Sequence, residues 1–279
     1  MSIIAFWSRE KKETGQTLSM AALTTYMAIE HNYKILDIST EFNNKTLENC
    51  FWNLAKQNAL AKNLTSTTQV GFESGVEGLL KIINSNKTSN SIVANYAKVV
   101  FKDRFDILCS SNTNNYEEYK QICTMYPQII QVANRDYDLV FVDISKKMPK
   151  EQANRILEIA DIIVMNITQK LSTIEDFVAL RESNDFFKKN NIMLNVGRYD
   201  KFSKYNIKNI TRFIRQRKDI TAIPYNTLFF EATSESKVAE LMLKLRRIKE
   251  DDRNATFMKE AARMSADILY KLQELQMRT

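Results

Sequence analysis

The sequence predicts an α/β protein with a mainly parallel central sheet and helices on both faces. Three observations carry this. Short apolar runs alternate with longer helix-patterned segments along the whole chain, the pattern of strand–helix–strand units with right-handed crossovers. The run Asp138-Leu139-Val140-Phe141-Val142-Asp143 places four apolar residues in a row and closes them with an acid, as a buried parallel strand does. The chain also opens with a strand (Ile3 to Phe6), a polar loop and a helix (Leu18 to Glu30) rich in alanine, leucine and methionine.

Lys34 to Ser39 reads as the second strand, followed by a helix from Thr46 to Leu60 with Leu47, Phe51, Leu54 and Ala55 on one stripe. Asn63 to Gly75 is polar and loop-like. Val76 to Ile83 is a short helix, 84–91 a loop, and Ile92 to Phe101 a stretch of mixed character. Phe105 to Cys109 is a strand, and Tyr116 to Asn134 a helix in which Pro127 marks an interruption. After the strand 138–143, a helix spans Pro149 to Ala160 and a strand Asp161 to Asn166. A helix over Thr173 to Lys189 and a strand over Ile192 to Val196 follow. Tyr205 to Arg217 is a basic helix and Ala222 to Tyr225 a short strand and turn. Helices at Ser236 to Lys249 and Thr256 to Met277 end the chain.

At 279 residues, one α/β domain over the whole chain is the simplest organisation. Hydrophobic content of 44% and charged content of 26% are ordinary for a soluble protein. No apolar run approaches the roughly 18 residues of a membrane span. No basic segment followed by an apolar one opens the chain, so no signal peptide is expected. Cys50, Cys109 and Cys123 are far apart and odd in number, which fits a reduced, cytoplasmic protein without a cysteine metal site. The single histidine, His31, follows the first helix and reads as a helix-end residue. Histidine-dependent nucleophilic catalysis is thereby nearly excluded. A net charge of +7 permits nucleic acid or another acidic surface as a partner without requiring one.

The first loop carries the chemistry. A strand, a polar loop and a helix N-terminus make an anion site, because the first amides of a helix lack partners and its dipole is positive there. Here Gly15 and Thr17 hold the last glycine and the hydroxyl of a phosphate-binding loop, while Gln16 occupies its usual lysine position. Lys11 stands five residues before Gln16. In that register Lys11-Lys12-Glu13-Thr14-Gly15-Gln16-Thr17 resembles the deviant phosphate loop of the ParA/MinD ATPases, with both middle glycines and the second lysine replaced. Four later segments resemble the same family in the same order. Tyr137 to Asp143 matches its Tyr-Asp-(apolar)-Asp strand. Ala160 to Thr168 matches its Ala-Asp strand. Leu194-Asn195 with Arg198-Tyr199-Asp200 is similar to its Asn-Arg strand end. Ile223-Pro224-Tyr225-Asn226, with Glu231-Ala232 and Lys237-Val238, is similar to its Ile-Pro-Tyr-Asp tail.

The resemblance spans about residues 2–245 and implies a P-loop NTPase-like fold that binds ATP with Mg²⁺ and dimerises on the nucleotide. It implies that Lys11, Lys12, Glu13, Thr14, Gly15, Gln16, Thr17 and Leu18 hold the phosphates. Asn195, Arg198, Pro224, Tyr225 and Asn226 flank the adenine, and Thr17 and Asp143 hold the metal. Lys11 reaches across a dimer as the signature catalytic lysine, and Glu41 positions water or contacts the magnesium shell. Gln16 can donate a hydrogen bond but brings no charge, and charge-assisted bonds are about twice as strong as neutral ones. Slow hydrolysis is therefore expected.

Three outputs follow from the resemblance. In DNA partitioning, Arg212, Arg215, Arg217 and Lys218, with Lys244, Arg246, Arg247, Lys249 and Arg253, would bind DNA non-specifically. The family's TadZ/CpaE-like members, which have degenerate phosphate loops, suggest a localisation factor for a pilus or secretion machine. Membrane association, as in MinD, is the third, and a pseudo-ATPase scaffold that has lost its ligand stands beside these three. Membrane contact through the last helix is not expected. Its polar face mixes Glu260, Asp267 and Glu274 with Lys259, Arg263 and Lys271, which suits packing or a dimer flank better than a membrane surface.

Overall fold

A computed structural model of the chain describes residues 1–10, 14–53, 75–85, 92–188, 191–215 and 218–277. Eight strands form one sheet: β1 (Ser2–Trp7), β2 (Ile35–Ser39), β3 (Lys98–Phe101), β4 (Phe105–Leu108), β5 (Leu139–Asp143), β6 (Ile162–Ile167), β7 (Ile192–Tyr199) and β8 (Ile220–Pro224). Their spatial order is β3-β4-β2-β5-β1-β6-β7-β8. Every neighbouring pair is parallel except β3 and β4. The central strands are apolar on both sides because helices cover both faces.

One face packs under α1 (Gln16–Glu30), α2 (Thr46–Asn49), α9 (Thr227–Glu235), α10 (Val238–Leu245) and α11 (Ala255–Gln276). The other packs under α3 (Val76–Asn84), α4 (Tyr116–Cys123), α5 (Tyr126–Ala133), α6 (Lys150–Ile159), α7 (Leu171–Ser183) and α8 (Ile207–Ile214). The alternation of each strand sorts its side chains between the two cores. Ile4 and Phe6 of β1 lie under α1, while Ile3 and Ala5 lie in the opposite layer.

Three details depart from the sequence reading, and the interruption expected at Pro127 is present. The mixed stretch before residue 101 contains β3, an antiparallel edge strand that turns back through Asp103 at φ 61°. The stretch 116–134 divides, as expected, into two helices, with Pro127 in the first turn of the second, where its missing N–H removes no helical bond. The helix from Thr46 is one turn long, ending at Asn49, and its expected continuation over 54–60 lies outside the described residues. An unexpected helix, α9, precedes α10. The Asn226 side chain caps it by accepting from the Phe229 amide at 2.8 Å, and Ser236 at φ 61° separates the two helices. The expected helix from 236 accordingly begins at Val238.

The last helix does pack: Phe257, Ala261, Met264, Ile268 and Leu272 are buried beneath it. Among the described residues no helix is long and apolar enough to cross a membrane. His31 ends α1 and pairs with the Ser265 hydroxyl of α11 at 3.0 Å. The three cysteines are free, and burial pushes the Cys109 thiol up to about 12.

Candidate functional site

The loops that follow β1, β2, β5, β7 and β8 leave the same edge of the sheet, where ligands of open parallel sheets bind. There a cleft of about 570 Å³ is lined by Thr14, Gly15, Gln16, Thr17, Leu18, Glu41, Asn44, Thr46, Lys146, Lys147 and Arg198.

The local sequence explains how α1 opens into it. Gly15 sits at φ 68°, ψ 14°, a left-handed conformation that glycine adopts without strain. It caps the helix with no side chain, and the first helical bond runs from the Ser19 amide to the Gly15 carbonyl at 2.8 Å. The Gln16, Thr17 and Leu18 amides thus precede the ladder, and the first turn carries no acidic residue. That combination favours an anion.

Gln16 does not reach into the cleft. Only 5% exposed, it donates through Nε2 to the Asp143 Oδ1 at 2.7 Å, the Ile144 carbonyl at 2.9 Å and the Phe6 carbonyl at 3.1 Å. It joins the ends of β1 and β5 to the first turn of α1. Thr17 donates its hydroxyl to the other oxygen of Asp143 at 2.6 Å. Asp143 is fully buried between Phe6 and Ser39 on the neighbouring strands. Burial raises its pKa, opposed by the Thr17 and Gln16 hydrogen bonds.

Two lysines that follow Asp143 complete the wall, and neither stands out in the sequence as a site residue. Lys146, exposed at the cleft, donates to the Thr14 hydroxyl at 3.1 Å. Lys147 donates to the Phe42 carbonyl at 3.2 Å. The signal that points to them is the Ser145-Lys146-Lys147 run that begins two residues after a strand-ending acid, in a chain whose loop lacks its own lysine at 16.

Glu41 faces the same cleft and accepts from the Ser145 hydroxyl at 3.3 Å. Burial first, then the nearby Asp143 charge, pushes its pKa from 4.5 to about 7. A carboxyl with a raised folded-state pKa favours folding in its protonated form. Its contribution is complete below its unfolded value near 4.5 and is lost as pH rises through about 7. Glu41→Gln is expected to flatten that decline, raising the urea midpoint at about pH 8 while leaving it nearly unchanged at about pH 5. A parallel pH profile in the two proteins would contradict this.

Of the residues expected around a base, Arg198, Pro224, Tyr225 and Asn226 come together with Gly15 and Leu18 around a crevice of about 30 Å³, room for water and not for a purine. Beyond Tyr225 a cleft of about 420 Å³ opens between Tyr199–Phe202, Pro224–Asn226, Arg253 and α11. Asn195 is elsewhere. It is fully buried in a polar row across β6, β7 and β8, donating to the Asn166 oxygen at 2.8 Å and accepting from the Thr221 hydroxyl at 3.3 Å.

Lys11, Lys12, Glu13 and Arg217 lie outside the described residues. Arg212, Arg215 and Lys218 are exposed on and after α8, on one side of the sheet, and Lys244, Arg246 and Arg247 on and after α10, on the other. The two basic clusters therefore belong to opposite layers. Arg246 is also ion-paired with Glu30 at 2.8 Å.

Among the described residues, no group of three or more His, Cys, Asp or Glu could hold a metal ion. Thr17 at the cleft, with Asp143 buried directly behind it, supplies two hard oxygens of the kind that suits a Mg²⁺ that keeps waters and takes its remaining ligands from phosphate.

The fold is that of the ParA/MinD ATPases, a class of P-loop NTPase-like proteins. A ParA family ATPase from Chlorobium tepidum superposes with a TM-score of 0.65 at 14% identity, over 95% of this chain and 98% of that one. The septum site-determining protein MinD from Pyrococcus horikoshii, complexed with Mg-ADP, gives 0.62 at 15% identity, over 97% and 98%. A protein assigned to plasmid partition in Borrelia burgdorferi, bound to AMPPNP, gives 0.59 at 16% identity, over 98% of both chains. No family model matches the sequence, and no curated protein matches it.

Proposed function

We propose that this chain binds ATP with Mg²⁺ in the cleft at the N-terminus of α1 and works as a ParA/MinD-type switch in spatial organisation, of the partitioning kind. One observation carries the reading. The open first turn of α1, Thr17 with Asp143 buried behind it, and Lys146 after β5 meet at one cleft at the sheet edge. The Mg-ADP and AMPPNP of two structures with this fold support the choice of ligand.

In this reading the phosphates lie on the Gly15–Leu18 turn. Mg²⁺ is held by Thr17 and Asp143, and the base sits beyond Tyr225 in the larger cleft, with Arg198 between the two. Glu41 positions water. Lys11 reaches the second subunit's nucleotide, so ATP binding and dimerisation go together. Hydrolysis is slow, because the side chain that normally brings positive charge from α1 is a neutral amide turned into the core.

That orientation of Gln16 also favours a second reading, a localisation factor that binds nucleotide and holds its state. The two are separated by DNA. A partition protein retards DNA of any sequence at low salt and releases it at high salt, and a localisation factor does neither. The shared step is tested by mass in solution. The expected result is a monomer that becomes a dimer with ATP and Mg²⁺, and a Lys11→Ala variant that stays monomeric. A mass unchanged by ATP would contradict the switch.

A further inference from the structure

We infer that Lys146 is the phosphate-binding cation of this chain, relocated from the helix position that Gln16 holds to the loop after β5. The inference rests on the ATP reading above and concerns which residue neutralises the phosphates.

An anion at the Gly15–Leu18 turn needs a countercharge, and α1 offers none: Gln16 is neutral and its donor group is committed to three acceptors behind the turn. Lys146, Lys147 and Arg198 are the described cations that line the cleft. Lys147 is directed away, onto the Phe42 carbonyl and over the Phe42 ring at 5.4 Å. Arg198 lies over Gly15 on the side of the crevice below Tyr225. Lys146 alone of the three places its ammonium on the turn itself, 3.1 Å from the Thr14 hydroxyl.

The loop that carries Lys146 is fixed. The Ser145 amide donates to the Thr40 hydroxyl at 2.8 Å, that hydroxyl donates to the Asp143 carbonyl at 2.8 Å, and the Met148 amide donates to the Ser145 carbonyl at 3.1 Å. A lysine is long and flexible, so an ammonium resting on a neutral hydroxyl can turn to a phosphate oxygen with little reorganisation. The exchange is favourable, because a charge-assisted bond replaces a neutral one. Partial desolvation lowers its pKa, and the acids around it, Asp143, Glu10 and Glu41, oppose that shift.

The test is calorimetric titration of ATP, ADP and AMP into the full chain and its variants. Lys146→Met and Lys146→Gln are expected to lower ATP affinity roughly 10- to 100-fold, the scale of one charged hydrogen bond. They should lower AMP affinity little, and melt with the wild type because the residue is exposed. Unchanged ATP affinity in both Lys146 variants would overturn the inference. So would an equal loss for AMP and ATP, or a loss confined to Lys12→Met. A wild-type chain that binds none of the three nucleotides overturns the ATP reading itself, and the inference with it, before any variant is compared.

Discussion

Gly197→Ala is expected to abolish ATP binding and destabilise the protein, although residue 197 offers no functional group. Gly197 lies near the end of β7, where the chain runs against the Thr14–Gly15 turn. A Cβ placed there would stand 2.0 Å from the Thr14 carbonyl oxygen, 3.1 Å from its carbon and 3.3 Å from the Gly15 Cα. All three are backbone atoms, so no rotamer change relieves the clash. Either β7 or the Thr14–Gly15 turn must move. The turn is the weaker side, since β7 is hydrogen-bonded on both edges. Overpacking of this kind costs roughly 1–3 kcal/mol. The accompanying shift would carry Gly15 and the first amides of α1 out of line with the Thr17–Asp143 pair. Urea unfolding and ATP titration of the one variant measure both effects. Wild-type values for both would contradict the packing described for the turn.

Gln16→Leu is the second large effect. The substitution keeps the approximate shape of the side chain and removes its donors. The Ile144 carbonyl and one Asp143 oxygen would then lose that partner in a site closed to water, while the Phe6 carbonyl keeps the Ile144 amide at 3.0 Å. Each orphaned buried acceptor costs about 1–3 kcal/mol, and charged ones more. A total of about 2–5 kcal/mol is expected, a large share of the stability of a typical domain. Gln16→Lys should lose much less, because an ammonium can donate to the same three acceptors and pairs with Asp143. The comparison by urea midpoint separates a structural staple from a side chain that serves the ligand alone. Equal midpoints for Gln16→Leu and wild type would show that the amide carries no such load.

The two variants also mark where sequence reasoning ends. The strands were legible because burial on both faces demands continuous apolar runs, and Leu139 to Asp143 and Ile162 to Ile167 supply them. The break at Pro127 was legible because proline has no amide to donate. The edge strand β3 was not: Lys98-Val99-Val100-Phe101 is partly exposed, and only its pairing with β4 makes it a strand. Nor was α9, where Phe229 and Ala232 are the buried residues and the rest face outward without a clear stripe.

At the site, the loop's place at the sheet edge follows from the strand–loop–helix order, and the pairing of Thr17 with Asp143 was implied only by the resemblance to the ParA/MinD family. The direction of Gln16 follows from neither. A glutamine in a loop can face solvent or core, and the choice here is set by Phe6 and Ile144, far from it in sequence. Lys146 was hidden for the same reason: it meets Thr14 only because β5 pairs with β1. Asn195 shows the converse. A position matched by motif turns its side chain along the sheet to Asn166 and Thr221, because three neighbouring polar residues satisfy one another there.

The claim on which the rest depends is that the cleft at α1 takes ATP with Mg²⁺, and calorimetric titration of ATP into the purified chain, with Mg²⁺ and with a chelator in its place, tests it most directly. The account predicts saturable micromolar binding with Mg²⁺ that weakens markedly when the metal is withheld, since Thr17 and Asp143 act on the nucleotide through the ion. No heat of binding at millimolar ATP, with the metal present, would contradict it and leave the fold as a scaffold without its nucleotide.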